Sequence, residues 1–252
     1  MPLDGVKQLD VARAGRLRPE LSKSPSAAMK ATVLQLTVET SREAVQRLLP
    51  PALHPVNPGV LVITAFDVAA SAERGSFRLV EVGLQCRAGA RARRYVVGAA
   101  IDDPSVAEEL AAGWGYLSKP AAIRLERRYE RIDVIVEAGS TTLRASLLRP
   151  EPVTPAAVLY LAGLRPTVYQ DELWIAQVER TFEISRADRG RPAVADFDGG
   201  WWTDGEAPEL RAADPISGSF TRSEVTLNPM RFLIAPGTSR AADTRRLAEV
   251  LV

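Results

Sequence analysis

Residues 77–123 read FRLVEVGLQCRAGARARRYVVGAAIDDPSVAEELAAGWGYLSKPAAI. Two runs rich in β-branched residues, 77–87 and 93–101, flank a short polar segment containing Gly89, which predicts a β-hairpin. Asp103 is a good helix N-cap and Pro104 a good first helical residue, so a helix is expected over 105–112, ending at Gly113. The apolar connection Trp114-Gly115-Tyr116-Leu117-Ser118-Lys119-Pro120 then leads to a further strand at 121–128. A lysine set among such neighbours is poorly solvated, which lowers the pKa of its ammonium.

The rest of the chain extends this pattern. Strands are expected at 32–38, 60–68, 132–137, 141–148, 173–184 and 225–234, from apolar alternation and flanking turn residues. Thr40 and Glu43 form a capping-box pattern before a helix at 42–49, which Pro50-Pro51 stops. A last helix is expected at 240–251. Residues 187–219, rich in Gly, Asp and Pro, read as long loops around a buried Trp201-Trp202 pair. Strands outnumber helices, so the fold class is mainly β (α+β): a large antiparallel sheet curled into a barrel or cone with a few short helices. Residues 1–28 read as an arm over a single domain spanning 29–252.

Composition narrows the function. Of 252 residues, 46% are hydrophobic and 25% charged, with a formal net charge of +1. That balance favours neither nucleic acid nor an anionic membrane as partner. No apolar run is long enough to span a bilayer, and the N-terminus lacks a signal pattern, so a cytoplasmic protein is expected. Single Cys and His residues, Cys86 and His54, allow no intramolecular disulfide and no His-rich metal site; neither metal nor cofactor is expected. Of 32 basic residues only Lys7, Lys23, Lys30 and Lys119 are lysine. With the heavy use of Ala, this bias suggests a GC-rich bacterial genome. Against it Lys119 stands out, because a buried lysine can shed its proton and attack a ketone to form a Schiff base, whereas arginine stays charged. The alternative is a stem packed on the surface with its head in water. Arg91, Arg93 and Arg94 at the hairpin tip read as solvated charge, with carboxylate or phosphate binding as the other reading.

The segment 114–123 resembles the G-Y/F-P-K-K-L-A-x-I segment of the acetoacetate decarboxylase family. Leu48-Leu49-Pro50-Pro51-Ala52-Leu53 is similar to that family's V-V-P-E-P-L helix end, and Leu79-Val80-Glu81-Val82 to its Y-x-E strand. The helix opening at Asp103-Pro104 matches one of its helices in position. The resemblance covers roughly residues 30–150. It implies a barrel pocket for a small-molecule carbonyl substrate and a homo-oligomer.

The departures are informative. Aligned without a gap, the family's Schiff-base lysine falls on Ser118 and its second lysine on Lys119; a one-residue bulge would instead put Lys119 at the nucleophile position. The family's G-R-E helix end corresponds to Leu110-Ala111-Ala112. Its acid near Val62 is missing, with Asp67 the nearest candidate, and its early arginine falls near Ala31, beside Lys30. The acid at Glu81 persists. Simple acetoacetate decarboxylation is therefore not expected. The candidate catalytic residues are Lys119, Glu81 and Ser118, with Tyr116, Trp114, Lys30 and Asp67 as substrate-binding candidates. Buried in its strand, Glu81 would have a raised pKa suited to acid/base work; facing out, it would be an ordinary surface charge. Three readings follow. One is an enzyme of bacterial secondary metabolism acting on a keto acid or polyketide-like carbonyl, of lyase type, through Lys119 as Schiff-base nucleophile or enolate stabiliser. The second is a cyclase or isomerase that folds a reactive substrate without a covalent step. The third is a non-catalytic binding protein.

Overall fold

The computed structural model describes residues 5–18, 27–69, 75–229, 232–236 and 244–246. Its strands are β1 (Gly15–Arg16), β2 (Ala27–Thr40), β3 (His54–Pro55), β4 (Gly59–Val68), β5 (Phe77–Ala88), β6 (Arg91–Ile101), β7 (Lys119–Pro120) and β8 (Ala122–Arg127). They continue as β9 (Arg131–Ala138), β10 (Ser140–Val153), β11 (Gly163–Tyr169), β12 (Glu172–Val178), β13 (Arg180–Phe197), β14 (Pro215–Leu227), β15 (Phe232–Ile234) and β16 (Thr244–Arg246). The helices are α1 (Arg42–Leu48), α2 (Pro104–Trp114) and α3 (Gly199–Trp202).

All these strands belong to one sheet, ordered β16-β15-β12-β11-β6-β5-β4-β2-β14-β13-β10-β9-β8, with β1 added to β11, β3 to β5 and β7 to β6. Neighbours are antiparallel except β1/β11, β6/β11 and β6/β7. The sheet is mixed, and it is curled rather than closed.

Both faces of its centre are buried, because successive side chains point to opposite sides. One face carries Leu34, Leu36, Ile63, Ala65, Val80 and Val82, covered by Ala44, Val45 and Leu48 of α1 and by Trp202. The other carries Val33, Phe66, Val68, Phe77, Leu79 and Val225, covered by Val106, Leu110 and Trp114 of α2. Glu81 shares the parity of Phe77 and Leu79 and so points into this second layer. Backbone bonds join Gly5 to Leu53 and Lys7 to Leu49, and β1 pairs with β11.

Several expectations need correction. Ser41, not Thr40, caps α1, its side chain accepting from Ala44 N at 3.1 Å. The stretch 173–184 is two strands, broken at Glu179. Residues 187–219 are not loop throughout: β13 continues to Phe197 and β14 begins at Pro215, which leaves 198–214 as the non-strand part. Composition misleads there because β13 is hydrogen-bonded on both sides, to β10 and β14, and a ladder on each edge overrides weak intrinsic propensity. Gly190 is required in it, since a Cβ there would sit 2.4 Å from Leu148 O. The stretch 225–234 spans the end of β14 and the whole of β15. The helix expected at 240–251 lies mostly outside the described residues, and its described part, Thr244–Arg246, is strand β16 paired with β15.

The Trp pair is seated through glycine. Trp202 is fully buried, and its indole N–H donates to Thr142 O at 3.2 Å. A Cβ on Gly98 of β6 would lie 2.4 Å from Trp202 O, so this close approach of α3 to the sheet needs glycine. Replacing Gly98 with Ala is expected to cost about 1–3 kcal/mol of stability, the usual range for overpacking. A urea midpoint unchanged from the parent would contradict this seating.

Candidate functional site

Glu81 lies in the middle of β5, between Thr64 of β4 and Ala99 of β6, and is completely buried. Three arginines from three other strands converge on its carboxylate. Arg180, the first residue of β13, makes a bidentate pair, Nη1 to Oε2 at 2.9 Å and Nη2 to Oε1 at 2.6 Å. Arg165 of β11 donates to Oε1 at 3.0 Å. Arg94 of β6 donates to Oε2 and also to the Thr64 hydroxyl. The three arginine side chains are 8%, 5% and 4% exposed.

Backbone details make room for this cluster. The β5–β6 register slips between Val82 and Gly83, so that Val82 pairs with Gly98 but Gly83 pairs with Val96. The slip sets Arg94, opposite Gln85, on the same face as Glu81. Gly83 leaves the space for the Arg94 stem, because a Cβ there would lie 2.7 Å from Arg94 Cγ.

The helix end before Lys119 positions Tyr116. Gly115 caps α2 in the left-handed region (φ 65°), and Tyr116 N bonds back to Leu110 O at 3.2 Å, the geometry of a glycine-terminated helix. The chain thereby turns Tyr116 inward, where it is 1% exposed, and Leu117 outward. Arg180 donates to the Tyr116 hydroxyl. Arg165 stacks on the Tyr116 ring with Cζ 3.2 Å from its centroid, and Arg180 lies over Phe66 at 4.8 Å.

The electrostatics are lopsided. Burial alone would push the Glu81 carboxyl upward, as expected from its strand, but Arg180, Arg94 and Arg165 together outweigh it and hold it far below the usual carboxylate range. The expected rise is thus reversed by partners the sequence reading did not place. Burial pulls the Arg94 and Arg165 guanidiniums below their usual value, and Glu81 opposes that pull. Among the described residues, three guanidiniums and one carboxylate leave an excess of two positive charges in the interior, and the Nε atoms of Arg94 and Arg165 are buried without a partner.

The candidate residues divide between this interior and the outer surface. Glu81 and Tyr116 meet on Arg180. Tyr116, Arg180, Met29, Phe66, Leu79 and Leu110 border a small apolar cavity of about 20 Å³. Lys30 and Asp67 line a broad open cleft, which shares Ala31 and Val68 with that cavity; Asp67 also pairs with Arg78 Nε at 3.2 Å. Trp114 packs in the core and donates its indole N–H to Asn228 O at 2.9 Å. Lys119 is turned away from the apolar cavity. Its ammonium pairs with Asp204 Oδ1 at 2.6 Å, donates to the Trp201 carbonyl and sits 4.6 Å from the Trp201 ring centroid. Its cleft also includes Arg165. Ser118 faces a different groove, with Asp102, Pro104 and Pro120. Cys86 is a buried thiol that burial pushes up to about 12, too high for a thiolate nucleophile at neutral pH.

Arg165 and Arg180 were not among the sequence candidates, and Arg94, read with Arg91 and Arg93 as solvated charge at the hairpin tip, is instead buried against Glu81. The available signal was an arginine inside an otherwise apolar strand, as in Gly163-Leu164-Arg165-Pro166-Thr167-Val168, where the pleat puts Arg165 opposite in face to the buried Leu164.

The folded pKa of Glu81 lies below its unfolded value, so the unfolded chain binds the proton more tightly and stability falls with pH. The contribution is complete above the ordinary glutamate value of about 4.3 and is lost progressively as pH drops below it. Glu81→Gln should lose about 3–5 kcal/mol at neutral pH, the cost of breaking a buried pair, and should lack this component of the acid-side loss. Urea titrations across pH 2–7 (roughly the span set by ordinary carboxylate pKa values) check both; a variant whose acid limb matches the parent's would contradict the assignment.

Comparison with known proteins agrees with this architecture. The family model described as acetoacetate decarboxylase matches residues 15–158, more than half of the chain. No curated protein matches the sequence. Among solved structures, an acetoacetate decarboxylase from Legionella pneumophila superposes with a TM-score of 0.70 at 16% identity, covering 93% of this chain and 92% of that one. The enduracididine biosynthesis enzyme MppR, in complex with pyruvate, gives 0.67 at 19%, covering 84% and 91%. An acetoacetate decarboxylase-like enzyme from Sphingomonas wittichii RW1 gives 0.65 at 14%, covering 83% and 93%. At these identities the superpositions establish the fold, and the family match establishes the lineage: the chain belongs to the acetoacetate decarboxylase family.

Proposed function

We propose that this protein is a small-molecule enzyme that binds a small keto acid in the sheet interior and works by non-covalent charge stabilisation rather than through a Schiff base. The observation that carries this reading is the buried excess of two positive charges around Glu81. Ionised groups are tolerated in an interior only when paired, and a substrate carboxylate supplies part of the missing charge. Guanidinium matches a planar carboxylate with two parallel hydrogen bonds, and a substrate carboxylate shares with Glu81 the N–H groups of Arg180, which lines the cavity.

In this reading the substrate enters from the Lys30/Asp67 cleft past Met29, an unbranched side chain that can swing aside, and the cavity, which at about 20 Å³ has room for about one water, opens to admit it. Its carboxylate sits against Arg180 and Arg165. The Tyr116 hydroxyl accepts from Arg180, which leaves its own proton free to donate to the substrate carbonyl oxygen. Negative charge developing on that oxygen, as in an enolate, is stabilised by the tyrosine proton and the neighbouring guanidinium. Glu81 stays ionised and positions the arginines; its low proton affinity makes it a poor general acid.

Lys119 has a lesser part here. A Schiff base needs a free amine, and the Lys119 nitrogen is taken up by Asp204 and the Trp201 carbonyl at a partly exposed position. That placement favours the cyclase or isomerase reading over the lyase reading with a covalent intermediate. The enzyme class and its connection to secondary metabolism are part of this proposal; the pyruvate complex of MppR is a property of that protein.

Two measurements test it. Pyruvate should bind the parent protein, and Arg180→Met should weaken it by about tenfold or more, the equivalent of one charged hydrogen-bonded contact. Borohydride added with pyruvate should leave the mass of the chain unchanged. A reduced adduct on Lys119, or equal affinity in Arg180→Met, would overturn the proposal.

A further inference from the structure

A second polar cleft of about 280 Å³ lies on the other side of the arginine cluster. Its inner wall includes Arg94, which is 3% exposed. Arg94 spends its two terminal nitrogens on Glu81 and Thr64, while its Nε is buried and unpartnered. Gln35, Gln85 and Ser219 add amide and hydroxyl groups, and Arg189 of β13 adds a second positive charge. Among the described residues neither Glu81 nor any other carboxylate lines this cleft.

The rim is of opposite character. Leu159 is 72% exposed and Ile216 47%, and both line the cleft. Gln35 Nε2 donates to Leu159 O at 3.1 Å and so ties the segment carrying Leu159 to β2. Large apolar side chains exposed together at the mouth of a concave site mark a surface that a ligand covers.

We infer that this cleft is a separate binding site for a small organic carboxylate with an apolar tail, its head between Arg94 and Arg189 and its tail against Leu159 and Ile216. The two ends impose opposite requirements. An inorganic anion leaves the rim uncovered, and an uncharged hydrocarbon leaves the arginines unpaired. The inference is independent of the keto-acid reading, although Arg94 touches both regions. A carboxylate here adds negative charge next to the cluster without entering the apolar cavity.

Hexanoate is a suitable probe, measured by calorimetry on the full chain beside pyruvate, sulfate and hexanol. Hexanoate should bind more tightly than sulfate or hexanol. Arg189→Glu should weaken hexanoate by about tenfold or more, since it reverses a charge in contact with the head group, and should leave pyruvate affinity within about twofold. Leu159→Ser, at an exposed position that does not threaten folding, should weaken hexanoate and not sulfate. Absence of hexanoate binding, or equal binding by Arg189→Glu, would overturn the inference. Equal binding of hexanol would reduce the cleft to an apolar patch and overturn it as well. A change of sedimentation coefficient in Leu159→Ser would assign the rim to contacts between copies of the chain, against the inference. Loss of pyruvate binding in the parent with hexanoate retained would count against the keto-acid reading alone.

Discussion

One carboxylate holds the interior of this protein together. Glu81 accepts hydrogen bonds from Arg94, Arg165 and Arg180, which arrive from β6, β11 and β13. β6 and β11 follow one another beside β5, but β13 lies beyond β4, β2 and β14, so Arg180 ties the curled sheet across its inside as well as through backbone ladders. Without Glu81 three guanidiniums would face one another in a medium that cannot screen them. With it, an excess of two positive charges remains among the described residues, and this excess is what the proposed anion site rests on. The same group therefore secures the fold and prepares the site.

Around this core the chemistry has moved relative to what the sequence resemblance implies. The family's lysine segment is present as a backbone feature: the helix end, the glycine cap and the turn into β7 are in place. Tyr116 is the residue this turn delivers to the apolar cavity. Ser118 and Lys119, two and three residues further on, fall on outer clefts, and Lys119 finds Asp204 and the Trp201 carbonyl there. Positive charge in the interior comes from arginines, which keep their protons and favour stabilisation of anions over covalent capture of carbonyls.

Much of the fold was legible in the sequence. The hairpin of β5 and β6, the Asp103-Pro104 helix start and the alternation in β2 and β4 all follow from local rules that tertiary structure did not override. The long β13 was not legible, because Gly190, Pro192 and its charged residues depress β propensity, and only pairing on both edges fixes it as a strand. Of the site, Glu81 and Tyr116 could be picked out as a charge and a ring inside apolar stretches. The arginines could not be singled out in the same way. In a chain that uses arginine by default, a buried one has no compositional contrast, and its partner lies 13, 84 or 99 residues away. What could have flagged Arg94 is parity, and the register slip at Val82/Gly83 hides even that, since it reverses the facing of β6 midway.

The most direct test of the account is a crystal structure of the protein with pyruvate. The account predicts the carboxylate beside Arg180 and Arg165, the carbonyl oxygen within hydrogen-bonding distance of the Tyr116 hydroxyl, and Lys119 still paired with Asp204. Continuous density between the ligand and Lys119 Nζ, or a ligand held on the surface with the arginine cluster unchanged, would contradict it.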